Sequence, residues 1–373
     1  MRACSRVPLE SVTLRLLHTA DWQLGLRLDF VGGETAARLR AQRYDTIRTI
    51  ARLAHERAVD MVVVAGDVFD ANRVGRDTLQ QASDALATFG DLPVILLAGN
   101  HDALEEGAAL TRLPNPPAGV FVPTGPEIVE VAGVELLLCP LQERHVRGDP
   151  AGWIPGRGDA ERIRVAVAHG GALNFAEGVE SVNRIEVDAL LAKGVDYVAL
   201  GDWHGTYRVN DRCWYSGTHE ATRFREQAPG NVLIVDIDGP GALPRVETVP
   251  VARSRWLRES VELAEDADAE SMLQRLEALP EKSWTLLRLE LSGELSLAGR
   301  ERLDTGLASL AASLAHLRLK AEGLSVAPTA EDLASLEQEG YLGEVVRGLR
   351  DEGDIDALRL LYRILREAPT AGG

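Results

Sequence analysis

Cysteine is scarce in this sequence, and the few cysteines present form no pattern. Cys4, Cys139 and Cys213 are odd in number and widely spaced along 373 residues. A small secreted domain stabilised by disulfides would carry an even set at regular spacing. We therefore expect a protein of the reducing cytoplasm without a disulfide framework.

Long apolar runs and an excess of basic residues are also missing. No run approaches the roughly 18 apolar residues of a membrane span, and the first residues, MRACSRVPLE, lack the apolar core of a secretory signal. The formal net charge is −17, which argues against tight DNA binding by this chain alone. A DNA substrate is not excluded, because a local basic patch or bound divalent metals can offset the acidity.

The sequence does contain ample material for buried cores. Hydrophobic residues make up 45% and charged residues 26%, which are ordinary globular values, and the length suits two domains. Short apolar runs such as VDMVVVAGD and LPVILLAGN alternate with helical stretches, and these runs show no polar alternation. Such strands are covered on both faces, so we expect two sheets packed together between layers of helix.

The pattern changes near residues 250–260 and predicts a domain boundary. We expect a loose leader at 1–11, the main α/β domain at 12–252, and a smaller α+β domain at 253–373 with an acidic helical C-terminus. That helical tail either docks a partner or caps its own domain. Only one histidine, His316, lies in the smaller domain, so the chemistry is expected in the first 250 residues.

Metal-type side chains follow five of the predicted strands. Each alone would be interpreted as a turn residue or a helix cap, but five in one order favour a shared site. In open α/β sheets the ligand crevice lies beyond the carboxyl ends of the strands, so these side chains should converge. They are Asp21 and Gln23 in HTADWQLG, Asp67 in VVVAGDVFD, Asn100 and His101 in LLAGNHD, His169 in VAVAHGG, and Asp202 and His204 in ALGDWHG.

In this order, the motifs resemble those of the calcineurin-like metallophosphoesterases. HTADWQLG, GDVFD and GNHD are most similar to the DNA repair exonuclease branch of that superfamily, the SbcD-type nucleases. The resemblance covers about residues 12–250. It implies a four-layer metallophosphoesterase fold, with two packed mixed β-sheets flanked by helices, and a C-terminal part placed like the capping domain of that branch.

The resemblance also implies two divalent metal ions that share one carboxylate, Asp67. Two such ions lie about 3.5–4 Å apart, hold a phosphate and activate a water for in-line attack. His101 would stand beside the scissile phosphate and protonate the leaving oxygen. One implied ligand set is Asp21, Gln23, Asp67 and His204, and the other is Asp67, Asn100, His169 and Asp202.

Two positions depart from the family pattern, because Gln23 and Asp202 stand where histidine is usual. A glutamine coordinates only through a neutral carbonyl oxygen, and an aspartate replaces a neutral nitrogen with an anionic oxygen. The site is then richer in oxygen and should favour harder ions, with manganese expected first and magnesium or iron as alternatives. The alternative is that the first metal position is weakened and turnover is slow.

Four further side chains lie near these motifs. Three of them have two interpretations each, and the fourth is expected to be structural. Trp22 and Trp203 either pack the loops or stack on bases. His219, in YSGTHE, either touches a substrate phosphate or caps a turn, and His18 is expected to be structural.

The resemblance favours a two-metal DNA exonuclease that acts in DNA repair with an SbcC-type coiled-coil ABC ATPase. A homodimer through the predicted helix at 34–57 is a further expectation from the related nucleases. One alternative keeps the chemistry and changes the substrate, giving a phosphatase or small-molecule phosphodiesterase. Another alternative is a non-catalytic subunit that binds metal or DNA without turnover.

Overall fold

The structure is a computed structural model that describes residues 13–158, 162–172, 183–326, 340–354, 357–358 and 360–361. The predicted leader at 1–11 lies outside these residues. The chain divides into two units, residues 1–254 and residues 255–373.

Twelve strands and three α-helices are described in the first unit. The helices are α1 (Gly33–Glu56), α2 (Arg76–Leu86) and α3 (Val187–Ala192). The strands are β1 (Leu14–Thr19), β2 (Met61–Val64), β3 (Val94–Leu96), β4 (Val120–Phe121), β5 (Glu127–Val131), β6 (Val134–Cys139), β7 (Arg164–His169), β8 (Tyr197–Gly201), β9 (Tyr207–Asn210), β10 (Cys213–Tyr215), β11 (Asn231–Ile237) and β12 (Arg245–Pro250).

These strands form two sheets of six. The first has the order β12-β11-β1-β2-β3-β4, in which β1 to β4 run parallel and β11 and β12 antiparallel. The second has the order β5-β6-β7-β8-β10-β9, with antiparallel strands at both edges. Both sheets are mixed, as predicted. All residues of β2, β3, β7 and β8 are buried, which explains their uninterrupted apolar runs.

Three apolar layers separate four layers of structure in this unit. Ile47 of α1 and Leu86 of α2 pack with Val62 on one face of the first sheet. The second layer lies between the two sheets, and α3 covers the outer face of the second sheet. This arrangement of helix, sheet, sheet and helix confirms the predicted fold class.

The second unit contains three parallel strands connected by helices. Its elements are β13 (Arg255–Leu263), α4 (Asp266–Glu277), β14 (Thr285–Leu295), α5 (Leu297–Ser313), β15 (His316–Val326) and α6 (Gly340–Asp351). Leu276, Leu289 and Leu310 belong to its own apolar core. Ser296 caps α5, because its Oγ accepts the Gly299 N–H at 2.9 Å. In the described part of the chain, no helix has the length and hydropathy that crossing a membrane requires.

Candidate metal centre

The loops after β1, β2 and β8 hold their backbone in unusual conformations. Asp21, Gln23, Asp67 and Asp202 all have positive φ, at 53°, 48°, 53° and 100°. Such conformations are costly for residues other than glycine and cluster at functional sites. Backbone bonds stabilise them here: Asp21 donates to Gly66 O at 3.0 Å and Gln23 to Asp67 O at 2.9 Å. These four residues are all among the predicted ligands.

His169, the last residue of β7, lies at the centre of the second predicted ligand set. Its Nε2 is 2.9 Å from Asn100 Oδ1, 3.4 Å from Asp67 Oδ1 and 3.8 Å from Asp202 Oδ1. On the other side of the ring, Nδ1 is 2.8 Å from the carbonyl oxygen of Ala65. Donation from Nδ1–H to that carbonyl leaves the Nε2 lone pair facing the cluster, the tautomer a metal ligand needs.

The side-chain amide of Asn100 turns its oxygen toward atoms that also accept. That oxygen lies 2.9 Å from His169 Nε2 and 3.3 Å from both carboxylate oxygens of Asp67. Without a cation, the amide would be better turned over, because Nδ2 would then donate to the same three atoms. A divalent cation among these atoms accounts for the observed orientation, so the donor set fits a metal.

Asp67 connects the two predicted ligand sets. Its Oδ1 accepts the backbone N–H of His101 at 2.9 Å, and its Oδ2 accepts the side-chain amide of Gln23 at 2.8 Å. The His101 ring is 31% exposed, with Nδ1 2.7 Å from the carbonyl oxygen of Asp70 and Nε2 4.0 Å from Asp67 Oδ2. His101 is therefore held at the open side of the cluster.

Charge accumulates in this buried cluster. One ligand atom each of Asp21, Asp67 and His169 lie within 4.8 Å of one another, and all three residues are buried. Burial raises the pKa of Asp21 to about 6, and the charges of Asp67 and Asp202 also raise it. Burial would lower the pKa of His169, but Asp67, Asp21 and Asp202 raise it to about 9. Both shifts mean that the site favours added positive charge, as a metal would supply.

His204 completes the first predicted set together with Asp21. Its positive charge would lower the pKa of Asp21, and both Asp21 oxygens accept the Asp202 N–H, at 3.2 and 3.3 Å. His204 Nδ1 is 2.7 Å from Glu226 Oε1. This carboxylate orients the ring so that Nε2 is available to a metal. Sequence reasoning missed Glu226, since no local pattern connects it to a residue 22 positions earlier.

Asp102 is a second residue whose role sequence reasoning missed, although it belongs to the GNHD motif. The side chain is fully buried, and its two oxygens accept the N–H groups of Phe69 at 3.0 Å and Gly99 at 2.8 Å. It therefore ties the loop after β2 to the loop after β3. Burial, followed by the charge of Asp67, raises its pKa to about 7.

Glycines form the walls of the site where side chains approach the backbone. A Cβ on Gly66 would lie 2.1 Å from His169 Nδ1, and one on Gly99 would lie 2.2 Å from Asp67 Oδ1. Gly66 also has a φ of 92°, which side chains rarely adopt. Both glycines are needed for the close approach of the loops.

The remaining side chains from the sequence motifs separate by burial. Trp22 is fully buried and donates its Nε1–H to Thr19 Oγ1 at 3.0 Å, whereas Trp203 is 39% exposed. His18 is buried between Tyr197 Oη and the carbonyl of Leu200, so its structural role is confirmed. His219 is buried too, with Nε2 2.9 Å from Arg43 O.

Comparison with known proteins agrees with this geometry. Residues 14–236 match the family model of the calcineurin-like phosphoesterases. One similar protein is the SbcD component of the nuclease SbcCD from Bacillus subtilis (strain 168), which is 25% identical over 332 residues. The match covers 78% of this chain and 82% of that relative. The resemblance drawn from the sequence motifs, including the SbcD-type branch, is confirmed.

Proposed function

Because the chain belongs to the calcineurin-like phosphoesterase family, we propose that it is a two-metal phosphodiesterase that cleaves DNA as SbcD-type nucleases do. One observation carries the proposal: side chains from five strand ends lie in one cluster around Asp67 and His169, and four of them, Asp21, Gln23, Asp67 and His169, are buried. Asp21 and Asp67 are both buried carboxylates, which a structural role alone would rarely bring together away from solvent.

The donor set suits two divalent cations. When bound, they would activate a water and stabilise charge on the phosphate. Four oxygen-donor side chains and two imidazoles make manganese the first expectation, with magnesium or iron as alternatives. We assign Asp21, Asp67 and His204 to one cation and Asp67, Asn100, His169 and Asp202 to the other.

His101 is the proposed general acid. The Asp70 carbonyl at 2.7 Å from Nδ1 fixes the ring, so that Nε2 is directed to the side of Asp67. The ring is partly exposed, so a substrate phosphate could reach it. An imidazolium there stabilises negative charge and donates its proton to the leaving oxygen of the DNA strand.

The partners follow from the branch to which the chain is similar. The name of the Bacillus subtilis relative describes one subunit of a nuclease, SbcCD. We propose that this chain likewise works in DNA repair with an SbcC-type coiled-coil ABC ATPase. With a net charge of −17, it would depend on that partner for the basic surface that holds DNA. A homodimer through α1 is part of the same proposal.

The same acidity favours a second candidate, a phosphatase or small-molecule phosphodiesterase, because a small substrate needs no basic track. A third candidate, a non-catalytic metal-binding subunit, has support only from the replaced histidines at Gln23 and Asp202. The second candidate would hydrolyse only small substrates and the third would hydrolyse none, so hydrolysis assays separate both from a nuclease.

The test is hydrolysis of linear duplex DNA, single-stranded DNA and bis-p-nitrophenyl phosphate in manganese or magnesium. His101→Ala and Asp67→Ala are the loss variants, and Gln80→Ala, on the exposed side of α2, is the control. We expect DNA cleavage by the wild type and by the control, and a loss of at least about 100-fold in both loss variants.

Each other outcome has a distinct meaning. Hydrolysis of the small diester with both DNA substrates intact, even with a purified ATPase partner added, would support the second candidate. No turnover on any substrate despite bound metal would support the third.

A further inference from the structure

Two primary amides contact the same carboxylate, Asp67, with opposite orientations. The Asn100 oxygen lies 3.3 Å from both Asp67 oxygens, whereas the Gln23 nitrogen donates to Asp67 Oδ2 at 2.8 Å. An amide oxygen facing a carboxylate is repelled unless a cation lies between them, and an amide nitrogen is attracted without one. The two amides therefore behave as different groups: a ligand at Asn100 and a hydrogen-bond donor at Gln23.

The two oxygens of Asp67 also differ in their surroundings. Oδ1 lies 3.4 Å from His169 Nε2, on the side of the Asn100 ligand set. Oδ2 accepts the side-chain amide of Gln23, and Oδ1 accepts the backbone N–H of His101, so each oxygen has one hydrogen bond. Gln23 is 1% exposed and its backbone N–H is bonded to Asp67 O, so little room exists for a different approach.

We infer that Gln23 is a hydrogen-bond donor to the bridging Asp67 and not a metal ligand, so that the two metal positions bind with unequal affinity. The metal position of Asn100 and His169 then has four ligand side chains, and the metal position of Asp21 and His204 has three. The inference rests on the proposed two-metal function. Activity would then rise with the metal concentration that fills the weaker position.

The experiment is a calorimetric titration of the metal-stripped full-length chain with Mn²⁺. Electron paramagnetic resonance at each addition distinguishes single ions from a coupled pair. Gln23→Met keeps the side-chain volume and removes the oxygen and the donor, and Gln23→His restores the residue usual in the family. Gln80→Met, on the exposed face of α2, is the matched control. Melting temperatures in EDTA establish that each variant folds.

The wild type should bind one Mn²⁺ at least about tenfold more tightly than the second, with the coupled-pair signal appearing only at the second addition. Gln23→Met should not weaken the second event, because no ligand is lost. Gln23→His should strengthen it by about tenfold or more, because imidazole is the better ligand. The control should match the wild type.

Three results would overturn the inference: equal affinities in the wild type, a tenfold weaker second event in Gln23→Met, or no gain in Gln23→His. If Gln23→Met does not fold, Gln23→Leu takes its place, because leucine also removes both the oxygen and the donor. Absence of any Mn²⁺, Mg²⁺ or Fe²⁺ binding by the wild type would instead contradict the proposed function, so the two failures are distinguishable.

Discussion

At the scale of single residues, the contact between His204 and Glu226 shows how a carboxylate outside the ligand set controls a ligand. Burial would lower the pKa of His204, but the hydrogen bond to Glu226 and the charge of Asp21 raise it. Burial would raise the pKa of Glu226, but its bonds with His204 and Thr222 lower it. Glu226 therefore stays ionised and holds the Nδ1–H of His204.

We expect Glu226→Ala to lower Mn²⁺ affinity by about 10–100-fold, the usual cost of losing a partner behind a metal ligand. Glu226→Gln keeps one acceptor oxygen for His204 and should lie between the alanine variant and the wild type. Calorimetric titration measures the effect, with Glu247→Ala, an exposed partner of Arg57, as the control. Unchanged affinity in Glu226→Ala would contradict the role given to this carboxylate.

A second residue-scale effect concerns His18, which is buried without a charge partner. Burial lowers its pKa to about 3, far below the ordinary value of 6.5. The unfolded chain therefore takes up a proton near pH 6.5 that the folded chain does not. The contribution of His18 to the free energy of unfolding is therefore fully present above pH 6.5 and is lost as the pH falls toward 3.

The expected loss from His18 is about 2 kcal/mol between pH 7 and pH 5, which follows from about 1.4 kcal/mol per pH unit below the unfolded pKa. Denaturant unfolding of the metal-stripped protein measures it. Over the same pH range, the free energy of unfolding of His18→Gln should fall less than that of the wild type, by this amount. The free energy of unfolding of His55→Gln should fall as much as that of the wild type. Equal pH slopes in His18→Gln and the wild type would show that His18 does not titrate on unfolding.

At the scale of elements, the strand-to-loop turns position the site, and their glycines leave no space for a side chain. We expect Gly66→Ala to destabilise the protein by more than about 1 kcal/mol, because its Cβ meets His169 at 2.1 Å and its φ is 92°. Gly125→Ala is the control, since nothing lies within 4 Å of a Cβ there and its φ is outside the left-handed range. Denaturant unfolding compares the two, and similar losses would contradict the argument.

The turn after β8 presents an exposed tryptophan between two proposed ligands, Asp202 and His204. Trp203 is 39% exposed, while Trp22, the corresponding residue after β1, is fully buried. An exposed aromatic ring beside a phosphate site is suited to stack on an unpaired base.

Stacking is worth about 1–3 kcal/mol per base, so Trp203→Ala should reduce kcat/KM on single-stranded DNA about 5–150-fold more than on bis-p-nitrophenyl phosphate. Trp203→Phe keeps a ring and should recover most of the difference. Equal reductions on both substrates would assign Trp203 to packing, the other interpretation of its sequence position.

At the scale of the whole molecule, the two units have separate apolar cores. The clusters that surround the first two sheets contain only residues before 254, and the third sheet has its own cluster beginning at Leu257. Glu220 also accepts the backbone N–H groups of Arg253 and Ser254, so the C-terminal end of the first unit is hydrogen-bonded within that unit.

We expect a chain that ends at Ser254 to fold cooperatively and to hydrolyse bis-p-nitrophenyl phosphate at the rate of the full-length protein, because all proposed ligands lie before that residue. Duplex DNA cleavage should fall if the second unit has the capping role of the related branch. Circular dichroism and both assays measure this. A shortened chain that does not fold would show that the units depend on each other.

Much of the first unit could be predicted because its signals are local. Apolar runs without alternation, as in β2, β7 and β8, occur where both faces of a strand are covered, and this predicted two sheets between helices. The parallel direction of β13, β14 and β15 was not predictable, because side-chain periodicity contains no information on strand direction.

By itself, the sequence determined the family, the layered fold and the positions that can supply ligands, since these depend on residue type and on order along the chain. Only the tertiary structure decided how those residues are used. Glu226 reaches His204, Trp203 is exposed while Trp22 is buried, and the Gln23 nitrogen faces Asp67. Each of these depends on the direction of a side chain among neighbours distant in sequence, and folding alone fixes that direction.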